Sequence, residues 1–360
     1  MRCFATLLFS LACLPAFAAG FVPIDLPGAQ LNALSADGRV ASGSVVGSAS
    51  GGFRRDESGR VYALPDAVSA QGISASGRYV VGSALDAQQR EVAAYWDEDG
   101  HAHLLGGLPG AVARAGVLSL GLAIDDDLHV AGSANTLDDH RVAFEWRPGE
   151  GMHRLPPLGG DDRAGVLGIS SGAGHVIGWS GRAAGTRRNV IWEARSARAL
   201  DEPLGTAELT GASRDAGTLL GLSAQARPFR WTGRTDMQPL LQETTTLPQP
   251  VRFGASSDDG QTLAGSAGSG AQRVAVIWTA PRGAERLDAR LARSGVAVPP
   301  GWTLIAATAV SADGTRIGGY GLHAGRFQSY LIDLPSAETA ATASGDRSTT
   351  LRRLSREAQP

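Results

Sequence analysis

The sequence predicts an all-β protein, a single β-propeller of seven four-stranded blades closed by its N-terminal strand. Three observations predict it. A turn phrase recurs seven times with a period near 45 residues. An aromatic-bearing strand follows each copy. Glycine accounts for 48 of 360 residues while charged residues make up only 19%, a profile that suits short strands and tight turns better than helices.

Along the chain, residues 1–18 read as a signal peptide rather than as part of the fold. Arg2 supplies the basic start, 4–14 the apolar stretch, and Ala16-Phe17-Ala18 the small-residue cleavage pattern. Cys13 lacks the leucine three places earlier that a lipoprotein signal carries. No later segment approaches 18 continuous apolar residues, so no transmembrane segment is expected once the signal is cleaved. The expected chain is exported, periplasmic or extracellular, and a monomer.

Residues 19–335 carry the repeats. The phrases are LSADGRVASG (34–43), ISASGRYVVG (73–82), AIDDDLHVAG (123–132), ISSGAGHVIG (169–178), ASRDAGTLLG (212–221), SSDDGQTLAG (256–265) and VSADGTRIGG (310–319). Asp-Gly or Ser-Gly supplies a tight positive-φ turn between two strands, and the preceding serine can bond back to it. The closing glycines, Gly43, Gly82, Gly132, Gly178, Gly221, Gly265 and Gly319, are expected to let a neighbouring backbone approach closely. Next in each unit comes an aromatic: Phe53, Trp96, Trp146, Trp192, Trp231, Trp278 and Tyr330. One large ring per period points to packing between blades, in preference to carbohydrate stacking. A weaker strand such as VYALP (61–65) or AERLD (284–288), with the strand leading into each turn, completes four per unit. GFVPIDLPG (20–28) precedes the first turn as an orphan strand, and the last unit ends a strand short at 335, so the first strand is expected to complete the last blade. Leu287, Leu291 and Gly295 predict one or two helical turns in the sixth connection. Residues 336–360 read as a disordered tail.

The repeating unit, Ile-Ser-x-Asp-Gly followed by Val-Gly-Ser, Ala-Phe/Tyr-x-Trp and Leu-Gly-x-Leu, resembles the HAF-repeat family of probable extracellular bacterial proteins over about 20–335. The resemblance implies export and a propeller-like fold, and it brings no catalytic residues with it.

Composition excludes several chemistries. Both cysteines, Cys3 and Cys13, fall in the leader, so disulfides, thiolate-metal sites and cysteine nucleophiles are not expected in the remainder. All 33 basic residues are arginine, which removes Walker and Schiff-base lysines. A net charge of −2 without a basic tract is not that of a nucleic-acid binder. No cofactor is expected. His101 and His103 lie two apart on one strand face and could ligate a metal with a third partner, but exposed strand polarity is the preferred account and no metal is assigned. Asp125-Asp126-Asp127 lacks the alternating spacing of a calcium loop. GISSG (168–172) matches a nucleophile elbow at Ser171 in letters only, since it falls in the repeat's turn.

The repeat breaks its own rule after two closing glycines, where serine gives way to Trp179 and Tyr320. Filling a local gap is the simpler account. The functional one groups Trp179, Tyr320, Arg187 and Arg188 as a ligand-binding face. The first functional reading is therefore a noncatalytic propeller presenting loops to an envelope or extracellular partner, an unidentified protein or polysaccharide. The alternative is a secreted polysaccharide hydrolase or lyase with carboxylates converging at the ring centre.

Overall fold

The computed structural model describes residues 20–335, apart from 48–50, 139, 171–173, 183–184, 186, 201–206, 233–236 and 243–244. The leader at 1–18, the tail at 336–360 and Ser171 lie outside the described residues. Seven four-stranded antiparallel sheets form a propeller. Blades one to six span 29–63, 67–106, 119–154, 163–199, 208–239 and 251–286. Blade seven takes its three inner strands from 302–333 and its outer strand from Gly20–Ile24. That strand runs antiparallel to Arg326–Asp333, with Gly20 opposite Asp333 and Ile24 opposite Ser329. The ring is thus closed as the orphan strand predicts. No helix among the described residues is long and apolar enough to cross a membrane.

The turn phrase builds the hairpin between the first and second strands of each blade. In the first copy Ser35 Oγ donates to Asp37 Oδ1 at 2.6 Å and accepts from the Val40 N–H at 3.0 Å. Asp37 Oδ1 also accepts from the Arg39 N–H at 2.9 Å, and Gly38 sits at φ +70°, where other residues are strained. Ser213 with Asp215, Ser257 with Asp259, and Ser311 with Asp313 repeat the 2.6 Å hydroxyl–carboxylate bond. In the third copy Asp125 stands at the serine position and accepts from the Asp127 and His129 N–H groups at 3.0 and 2.9 Å. A carboxylate thus replaces the hydroxyl without loss of the turn.

The closing glycine has a sharper requirement. A Cβ on Gly43 would lie 2.2 Å from the Gln30 carbonyl oxygen and 2.7 Å from the Phe53 ring. The crowding arises because the inner strand bulges there: Leu31 pairs with Gly43, then the register skips Asn32. The same skip follows the partner of the closing glycine in all seven blades.

The periodic aromatics pack each blade against the one before. Trp96 is buried against Val40 and Leu64, and its Nε1 donates to the Pro65 carbonyl at 3.0 Å. Trp192 repeats this with Leu155 and the Pro156 carbonyl at 2.7 Å. Trp278, Trp146 and Trp231 follow in blades six, three and five. Phe53 and Tyr330 also face the preceding blade, but at another rung. They stand directly across from Gly43 and Gly319, as Phe144 and Phe229 do from Gly132 and Gly221. The five tryptophans lie two residues further on, so the seven aromatics occupy two register positions rather than one. A ring over a strand glycine covers the backbone that a missing side chain leaves open.

The sixth outer strand ends at Arg286, earlier than its sequence indicates, and the helix α1 (Leu287–Arg293) follows, with Leu287 and Leu291 buried at the junction of blades six and seven.

A polar clamp joins blades three and four. His129 is fully buried; its Nε2 lies 3.1 Å from Glu145 Oε2, and its Nδ1 lies 3.0 Å from Arg147 Nη2. Arg195, from blade four, bonds Glu145 and Glu150. The His129 hydrogen bond, opposed by burial and reinforced by Arg195, lowers the Glu145 carboxyl from 4.5 to about 2.

Gly43→Ala is expected to cost about 2–4 kcal/mol, read from the urea midpoint; an unchanged midpoint would show that the inner strand relaxes freely. Because the folded-state value of Glu145 is depressed, its stabilisation is complete above pH 4.5 and lost as pH falls toward about 2. Glu145→Gln should therefore be less stable than the parent by about 1–3 kcal/mol at pH 6, with the gap closing by pH 2 in parallel denaturation curves.

Candidate functional site

The innermost strands enclose a central channel with a cavity of about 270 Å³, walled by Leu34, Ile73, Leu122, Ile124, Leu167 and Val310 among others. Its polar groups are spent largely on tying blades together. Three of the residues expelled by the bulges reach to the next blade: Thr308 Oγ1 donates to the Leu31 carbonyl at 2.6 Å, Asn32 Nδ2 to Ala70 at 2.7 Å, and Thr210 Oγ1 to Phe253 at 2.6 Å.

A second set of bonds rings the mouth formed by the turn phrases. The Asp258 N–H donates to Ala312, Ala312 to Ala36, and Ala36 to Ala75, at 2.9, 2.7 and 2.8 Å. Ser76 continues the series by donating its N–H and hydroxyl to Asp126 Oδ1 at 3.0 and 2.5 Å. Arg214 enters this mouth from the turn of blade five. Its Nη2 reaches the Leu34 carbonyl of blade one at 3.4 Å, and its Nε stands 3.9 Å from Asp258 Oδ1. Burial lowers the Arg214 guanidinium from its ordinary value, against the raising influence of Asp258, Asp126 and Asp37. Burial likewise raises the Asp258 carboxyl, with Arg214 opposing it. Burial also works against the charged form of Asp126, but the Ser76 bonds prevail and its carboxyl is lowered. The carboxylates at this mouth are therefore engaged: Asp125 in its own turn, Asp126 by Ser76, and Asp258 beside Arg214.

Trp179, Arg187 and Arg188 come together at the opposite end of blade four. Trp179 lies against Gly165 of the inner strand, whose Cβ, if present, would fall 2.6 Å from the indole Nε1. Arg187 is exposed and lies over the ring, Cζ 4.0 Å from its centroid. Arg188 Nη2 bonds Asp161 Oδ2 at 3.0 Å, and Ser180 Oγ donates to the same oxygen at 2.7 Å. Asp161, just before the inner strand of blade four, is thus the shared partner of Arg188 and Ser180. Tyr320 is elsewhere, three blades on in blade seven, opposite Ala306 and Ser329 and edge-on to Phe327 at 6.0 Å. Away from both ends of the channel, Asp97, Asp99 and His101 gather their ligand atoms within 4.8 Å of one another at the outer turn of blade two.

Arg214→Ala is expected to lower stability by about 1–2 kcal/mol. In a double-mutant cycle, Asp258→Asn should cost less in that background than alone; strict additivity would show that the two side chains are uncoupled.

No family model matches the chain, and no curated protein does either. The solved structures it resembles are propellers. An oligogalacturonate lyase from Vibrio parahaemolyticus aligns with a TM-score of 0.56 and 9% identity over 88% of this chain and 94% of that one. A puromycin hydrolase aligns with a TM-score of 0.51 and 14% identity over 82% of this chain, which spans half of the hydrolase. A chain of a mitotic checkpoint complex aligns with a TM-score of 0.50 and 12% identity over 91% and 98%. At such identities the likeness is one of fold.

Proposed function

We propose that this chain is an exported, noncatalytic binding propeller that presents one end of its ring to an envelope or extracellular partner bearing anionic groups, with polysaccharide favoured over protein. The observation that carries the proposal is Arg187 over Trp179. A guanidinium stacked on an indole keeps its in-plane N–H groups directed outward and has little rotamer freedom left to lose on binding a carboxylate. The exposed placement of Arg187 supports a role in contact rather than in packing. Arg188 and Asp161 support the same edge from beneath. The channel mouth supports a noncatalytic reading, since Asp126 and Asp258 already have partners there. Export rests on residues 1–18, and membership of the HAF-repeat family rests on the repeated phrase.

The purified chain should be retained on acidic envelope polysaccharides without releasing new reducing ends. Arg187→Ala should weaken retention at least about tenfold, while Tyr320→Ala, three blades away, should leave it unchanged. Release of reducing ends would replace this reading with the polysaccharide-cleaving alternative.

A further inference from the structure

Blade two carries a turn written in metal-ligand residues. Asp97-Glu98-Asp99-Gly100-His101-Ala102-His103 connects its third strand, Glu91–Trp96, to its outer strand, Ala102–Gly106. The turn is held by its own backbone: the Gly100 N–H donates to the Asp97 carbonyl at 3.0 Å, and Gly100 takes φ +85°. Asp97 Oδ1 accepts from the Asp99 and His101 N–H groups at 3.1 and 2.9 Å.

Blade one provides an internal control. Its corresponding turn is Asp56-Glu57-Ser58-Gly59-Arg60-Val61-Tyr62, with Asp56 Oδ1 accepting from the Arg60 N–H at 3.0 Å, as Asp97 does from His101. The aspartate and glycine that make the turn are the same in both blades. The three positions that project from it differ, and all three differ in one chemical direction: Ser58, Arg60 and Tyr62 correspond to Asp99, His101 and His103. A turn requires none of those changes, since blade one forms it without them.

The two imidazoles stand against the same carboxylate, one at each of its oxygens. His103 Nε2 lies 2.9 Å from Asp97 Oδ2, and His101 Nδ1 lies 3.5 Å from Asp97 Oδ1. Bonds of about 2.1 Å to nitrogen and oxygen place neighbouring donors about 3.0 Å apart around an octahedral ion and about 3.4 Å apart around a tetrahedral one. Asp99 adds a further carboxylate within 4.8 Å of Asp97 and His101. His103 is oriented in advance, because its ring stacks on its cross-strand neighbour Tyr95 at 4.5 Å and 9°. His101 is 73% exposed in its side chain and can turn toward an ion without displacing a neighbour.

We propose that Asp97, Asp99 and His101, whose ligand atoms lie within 4.8 Å of one another, form with His103 at the other oxygen of Asp97 a surface site for a divalent ion of the zinc class. Two imidazoles with carboxylate oxygen match that borderline class, whereas calcium asks for six to eight oxygens.

The test is titration of the full chain, free of any affinity tag, with zinc alone, followed by calorimetry and native mass spectrometry. One saturable ion per chain is expected, unaffected by excess calcium. His101→Arg with His103→Tyr writes the residues of blade one into blade two and so preserves the turn; it should weaken zinc binding at least about tenfold. His153→Ala, on the outer strand of blade three, should leave binding unchanged. Absence of a saturable ion, or equal binding by the doubly substituted chain, would overturn the assignment. Loss of binding confined to His153→Ala would overturn it as well.

Discussion

The ring depends on one close approach, that of each closing glycine to the carbonyl of the strand inside it. With Gly43 in place, the Gln30 oxygen can occupy the space a Cβ would fill, and the inner strand can bulge at Asn32. The bulge is what sends the Asn32 side chain outward to the Ala70 carbonyl of the next blade. Thr210 and Thr308 use the same device. A backbone contact inside one blade thereby sets a bond between two. The absence of a side chain at a single position propagates around the channel as register.

Polar residues in this fold consequently have two competing uses. Asn32, Thr210, Thr308, Ser76 and Asp126 are consumed in joining blades, and each would look like a candidate ligand if read without its partner. The informative residues are those at which one blade departs from its siblings while keeping the common turn or strand. Trp179 displaces a serine and carries an arginine on its face. His101 and His103 displace an arginine and a tyrosine on a turn that keeps the same aspartate and glycine. Repetition supplies the baseline against which such departures can be measured.

Much of this architecture was legible in the sequence because a propeller writes its elements in local terms. The Ser-x-Asp-Gly phrase is a complete hairpin instruction, so its seven occurrences locate seven blades, and the unmatched strand at 20–24 leaves only the last blade to fill. The bulges were not legible. Their residues, Asn32, Gln71, Leu122, Leu167, Thr210, Gly254 and Thr308, share no chemistry, because what defines them is a register skip rather than a side chain. The two rungs of aromatics were merged for a related reason: Phe53 and Trp96 both sit in a third strand, and only pairing with the second strand separates them. Arg214 was invisible as a cross-tie because its contact at Leu34 lies 180 residues away across the ring. The third partner of His101 and His103 lay close in sequence, at Asp97, and was hidden by its ordinary role in the turn.

Closure by the N-terminal strand also orders events in time. The strand Gly20–Ile24 is made early, yet its ladder partner, Arg326–Asp333, is made about three hundred residues later, as is Thr308, which bonds Leu31 across 277 residues. The strand that opens the propeller is therefore among the last to be paired, and contacts of such separation form slowly. A chain interrupted before the final hairpin can fold its early blades but leaves both flanks of the array as open edges, which attract other strands and proteases. The clasp thus works as a gauge of length: only a chain that carries its last blade can hide its first strand.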